Sequence, residues 1–131
     1  MFLRYYDIYV NGNYVPSSLE SSSGIALIDK LVPYIDGATP GSNPGQLQNG
    51  IYNYLKSQGI NASVNLAYSS IGAIAGRVGN NEPFVLGLHN HPTYGEHWVT
   101  GFGYSGIYAI ANDGWGNIVY IDSSYTDYIV Y

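Results

Sequence analysis

His97 stands in the stretch Gly95-Glu96-His97-Trp98-Val99, and sixteen residues later Asp113 stands in Ala111-Asn112-Asp113-Gly114-Trp115-Gly116. The histidine opens one apolar run and the carboxylate closes the next. Two antiparallel strands joined by a short turn bring such positions side by side. An imidazole base and a carboxylate that orients it are two of the three groups of a nucleophilic triad. The third is missing, because the chain contains no cysteine. The spacing predicts the His97 and Asp113 side chains within hydrogen-bond reach, directly or through one water, in a shared cleft. Trp98 and Trp115 accompany the pair, and Trp115 either shields it from water or fills core. The plainer alternative is a structural histidine and an Asp-Gly hairpin turn.

A second chemistry is spelled by His89, His91, Glu96 and His97. A His-x-His pair on a strand puts both rings on one face, as a zinc or nickel site requires. The loop expected at Pro92–Gly95 argues against it, and the expectation is no metal and no cofactor. Gly101-x-Gly103-x-x-Gly106 matches a dinucleotide fingerprint by letter, but a strand follows where a helix should start. Asn61-Ala62-Ser63 is a formal glycosylation sequon and carries no further weight.

The positioning elements follow from periodicity. Met1–Tyr6 reads as helix, too short to hold alone and resembling the end of a longer one. Asn11-Gly12 signals a turn and Ser17–Ser23 a polar loop. Ser23 can cap a helix carrying Ile25, Ile28, Leu31 and Val32, ended by Pro33. A loop follows over Asp36–Gly45. Asn43 caps the next helix, Pro44 is its first residue, Leu47, Ile51, Tyr54 and Leu55 form its stripe, and Gly59 stops it. Val64, Leu66 and Tyr68 alternate as a strand. Ser70 caps a third helix with Ile71, Ile74 and Val78 inward and Gly79 as the stop.

From Pro83 the period becomes that of strands: Phe84–Leu88, Trp98–Tyr104, Tyr108–Ala111, Ile118–Ile121 and Tyr128–Val130. Helices first and strands second predict an α+β fold with an antiparallel sheet. The expected organisation is a single domain over 1–131, helical to about residue 79 and sheet beyond it.

With 131 residues the chain suits one domain with a core of its own. Its net charge is −5 with only four basic residues, which excludes a phosphate-tracking patch and hence nucleic acid. No apolar run approaches the ~20 residues of a membrane span. Fifteen tyrosines among so few charges suit a secreted or cell-surface bacterial protein. The N-terminus itself shows no signal peptide, since Arg4 interrupts it.

Gly79–Gly116 resembles the C-terminal half of papain-like cysteine peptidases, in the branch that processes bacteriocin leaders at a double glycine. The shared pieces are the strand Phe84-Val85-Leu86-Gly87-Leu88, Gly95-Glu96-His97-Trp98-Val99, the pair Gly103-Tyr104, and Asn112-Asp113-Gly114-Trp115-Gly116. The resemblance implies a papain-like fold, with His97 as base and Asp113 as orienter. Asn112 is the competing orienter, one position earlier and expected on the opposite face. Met1-Phe2-Leu3-Arg4-Tyr5-Tyr6-Asp7 resembles the end of the family's nucleophile helix. The cysteine and the oxyanion-hole glutamine are therefore expected upstream of Met1.

The resulting expectation is an N-terminally truncated papain-like domain that would cleave a peptide or protein substrate but is inactive as this chain. The alternative is a noncatalytic peptide-binding or interaction module on the same fold. The N-terminal helix, with Phe2, Leu3, Tyr5 and Tyr6 uncovered, is expected either to be loosely ordered or to bury itself in a homodimer.

Overall fold

A computed structural model describes residues 2–10, 12–20, 24–35 and 42–131. The expected cap at Ser23, Asn11 of the Asn11-Gly12 turn, and most of the loop expected at Asp36–Gly45 lie outside them. The chain is α+β, with its helices before its sheet. It forms two compact units, Leu3–Asn65 and Leu66–Tyr131, the second joined by Phe2. The last helix ends at Gly79, and that helix and the short strand before it group with the sheet.

Among the described residues the first unit holds three α-helices and a 3-10 turn, Ser17–Leu19. α1 (Phe2–Tyr9) runs beyond its expected end at Tyr6. So short a helix is unstable in isolation, and tertiary bonds hold it. The buried Asp7 carboxylate accepts the Val15 N–H at 2.9 Å, and Arg4 reaches Glu20 at 2.6 Å. Phe2 and Leu3 are buried, contrary to expectation, and the exposed apolar residues are Ile8, Tyr9 and Val10.

α2 (Ile25–Ile35) continues past Pro33, where the sequence predicted its end. Proline biases the preceding residue away from helix without forbidding it. Packing of α2 on α3 (Pro44–Ser57), with the Tyr34 and Tyr54 rings edge to face at 5.9 Å, outweighs that bias. α3 begins with a capping box in which Asn43 and Gln46 satisfy each other's backbone N–H at 2.9 Å. Its buried stripe contains Leu47, Ile51, Tyr54 and Leu55, as the periodicity predicts.

The second unit is a six-stranded antiparallel sheet in the order β1-β6-β2-β3-β4-β5. The strands are β1 (Leu66–Tyr68), β2 (Phe84–His91), β3 (Gly95–Ser105), β4 (Tyr108–Asn112), β5 (Ile118–Asp122) and β6 (Thr126–Val130). α4 (Ile71–Gly79), capped by Ser70, covers one face through Ile74. Gly79 is its last residue rather than its stop; the left-handed residue after it is Asn81, at φ 56°.

Alternation puts Ala109 and Ala111 of β4 and Val99 of β3 on the covered face. Gly101 of β3 lies there too, and the Phe84 ring occupies the place its side chain would take. The Gly101-x-Gly103-x-x-Gly106 run is thus a packed strand and hairpin turn, with no helix after it.

Candidate active site

β3 and β4 pair at Thr100↔Asn112 and Gly101↔Ala111, with a bulge between Gly101 and Gly103. Continued past Thr100, that register sets Asp113 beside Val99 and Trp115 beside His97, all on the face that carries the core. The turn after β4 bonds Asp113 N–H to Asn117 O at 3.1 Å, so it closes tightly over this end of the sheet.

His97 and Asp113 do meet, but through the backbone. His97 Nε2 lies 2.9 Å from the Asp113 carbonyl oxygen. A carbonyl can only accept, so in the neutral ring Nε2 carries the hydrogen and Nδ1 is the basic nitrogen. No described residue bonds Nδ1. The ring lies flat on Trp115, with centroids 4.6 Å apart and planes 12° apart, and nearly parallel to Tyr94 at 5.7 Å. Trp115 remains 68% exposed, so it roofs the imidazole rather than filling core.

The Asp113 carboxylate makes its hydrogen bonds within its own turn and to Tyr94, and the carbonyl rather than the carboxylate meets the imidazole. Asp113 is buried, and four donors converge on its carboxylate. Oδ1 accepts the N–H groups of Trp115 at 2.8 Å and Asn117 at 3.1 Å. Oδ2 accepts the Asn117 side-chain amide at 2.8 Å and the Tyr94 hydroxyl at 3.3 Å. The Asn117 amide above all, with the backbone donors and Tyr94, holds this carboxyl below the usual carboxylate range against the opposing effect of burial. The Tyr94 hydroxyl is pushed up, by burial first and then by the Asp113 charge.

Asn112 is not an orienter of the ring. It pairs with Thr100 on the opposite face, and its Oδ1 accepts the Gly114 N–H at 3.0 Å. Trp98 pairs with Gly87 and lies over it, again away from His97. Of the residues singled out in sequence, His97, Asp113 and Trp115 therefore come together, while Trp98 and Asn112 do not.

Tyr94 and Asn117 complete the cluster, and the sequence pattern did not single them out. Asn117 had a local signal, since an Asp and an Asn four residues apart around Gly-Trp-Gly can staple one turn. Tyr94 had none, because its approach depends on the β2–β3 connection. There Asn90 takes φ 51°, and His91 Nδ1 accepts the Thr93 and Tyr94 N–H groups at 3.2 and 3.3 Å.

The same connection separates the two histidines of the metal alternative. His89 Nδ1 pairs with Glu96 at 2.9 Å, whereas the His91 ring packs between Tyr94 and Tyr125. The irregularity between Leu88 and His91 breaks the alternation that would have aligned them. Among the described residues no group of three His, Asp or Glu could hold a metal ion.

Searched against models of protein families and against curated proteins, the chain matches none of them.

Proposed function

We propose that this chain carries the base half of a papain-like cysteine peptidase site. His97 is the base and Asp113 its orienter, acting through its backbone carbonyl. The observation that carries this reading is the Nε2 contact to that carbonyl under the Trp115 roof, which leaves Nδ1 as the proton acceptor. In such a site Nδ1 takes the proton of a thiol as sulfur attacks the peptide carbonyl. It then returns the proton to the leaving amine, and water releases the acyl group from sulfur. The 131 residues supply no thiol, so they do not turn over peptide by this route.

The experiment compares hydrolysis of a fluorogenic peptide by this chain and by the chain carrying a cysteine-bearing helical extension before Met1. The expected result is no turnover by the first and turnover by the second, abolished by His97→Ala. Turnover by the 131 residues alone, surviving His97→Ala, would place the chemistry elsewhere.

A noncatalytic peptide-binding module is favoured by one observation, the complete engagement of the Asp113 carboxylate within its own turn. An extended chain that binds peptide without cleaving it supports that reading instead.

A further inference from the structure

β5 is an edge strand of the sheet. It pairs with β4 without interruption from Tyr108↔Asp122 to Asn112↔Ile118. Bonds just beyond that ladder, Asp113 N–H to Asn117 O at 3.1 Å and Ser123 N–H to Ile107 O at 3.0 Å, fix which residues face inward. Hydrogen-bonded positions in an antiparallel pair recur at every second residue. Asn117, Val119, Ile121 and Ser123 therefore bond toward β4. Ile118, Tyr120 and Asp122 turn their N–H and C=O groups outward.

Little protects this edge. The side chains of Ile118 and Tyr120 are 66% and 63% exposed. β5 has no proline, lysine or bulge, the usual devices against strand pairing. Its single charge, Asp122, turns back to accept the Ser124 N–H at 2.9 Å. Ile110 lies opposite Tyr120 and continues the apolar surface inward.

Charge decides what fits. Residues Leu66–Tyr131 contain five carboxylates against a single arginine, Arg77, which Glu82 already pairs at 2.7 Å, and no lysine. A second copy of the chain would bring another net charge of −5 to the same edge. A cationic partner gains attraction where a second copy meets repulsion.

We propose that β5 takes up an extended cationic peptide as an antiparallel seventh strand. Apolar residues of the peptide lie beside Ile118 and Tyr120, and a lysine or arginine lies beside Asp122. Backbone bonds to Ile118 and Tyr120 hold the strand, and the alternating side chains select it. The Ile118 end of β5 leads directly into the turn that carries Trp115 against His97. The proposal deepens the peptidase reading by naming the edge at which its peptide docks. Its test measures binding without turnover, so each can fail alone.

The probe is a fluorescein-labelled peptide of about seven residues, a typical strand length, with the sequence Lys-Lys-Thr-Val-Thr-Val-Lys, whose second lysine faces Asp122 when its valines face Tyr120 and Ile118, added to the 131-residue chain. Its counterpart has glutamate for lysine. The expected result is binding of the cationic peptide at least about tenfold tighter than the acidic one, with the Ile118 and Tyr120 amides slowed in hydrogen exchange. Tyr120→Pro removes an outward N–H and no bond to β4, so it should weaken binding at least about tenfold. Ile118→Lys, which keeps every backbone donor, provides the same reading through charge should the proline variant fail to fold. Undiminished binding by folded variants, equal binding of the two peptides, or no binding overturns the proposal. So does a dimer in sedimentation that Ile118→Lys dissolves, which would make the second copy the occupant.

Discussion

Trp115 lies flat on His97, centroids 4.6 Å apart, although the indole is 68% exposed. An exposed tryptophan contributes little to a core, so its role is to hold the imidazole and keep water from its face. Trp115→Ala should cost only about 0.5–1.5 kcal/mol in urea unfolding, the range of an aromatic pair. It should also free the His97 ring. Nitrogen NMR of the native chain should show the hydrogen on Nε2, and the variant should show a mixture of tautomers. A native ring with its hydrogen on Nδ1 would remove the base assigned to that nitrogen.

Asp113 makes stability depend on acid. Its folded carboxyl titrates below the usual value, with the Asn117 amide as the leading cause. A depressed folded value means stability that is fully present above the unfolded carboxylate value of about 4. That stability is lost as pH falls through the folded value. Glu96, held down by the Asn90 N–H and then His89, acts with the same sign. Melting temperature should therefore fall as pH is lowered below about 4, and less steeply in Asp113→Asn. Equal slopes in the two proteins would show that the turn does not hold a charged carboxylate.

Gly101→Ala directs a methyl group into the Phe84 ring. Phe84 is fully buried beside Ile74 and Leu86, so it has little room to move. The cost should be about 1–3 kcal/mol, that of an overpacked core. Phe84→Leu in the same chain should recover part of it. Chemical denaturation of the single and double variants provides the comparison.

Asn43→Ala removes one side of the capping box at the start of α3 and should cost about 0.5–2 kcal/mol. Asn43→Ser should recover most of that. Urea unfolding of the three proteins checks that order.

Much of the fold was determined by the sequence alone. Local patterns located α3 between Asn43 and Gly59, the Ser70 cap, and strands β2 to β6, because caps, turns and alternation act within a few residues, but β2 runs on past Leu88 to His91, β3 starts at Gly95 rather than Trp98, and β6 starts at Thr126 rather than Tyr128. They misplaced the ends of α1 and α2, where Asp7 bonding to Val15 and Tyr34 packing on Tyr54 overrule local preference.

At the site, the residue types and the sixteen-residue spacing were enough to bring His97 and Asp113 together. What passes between them was a tertiary decision. The bulge between Gly101 and Gly103 shifts the β3–β4 register by one residue, and a one-residue shift exchanges the faces of a strand. That shift sets Trp115 against His97. The closed turn then draws the Asp113 carboxylate to Asn117 and Tyr94, leaving its carbonyl for the imidazole. Spacing along a chain specifies which residues are neighbours. Register and turn closure specify which of their atoms face each other.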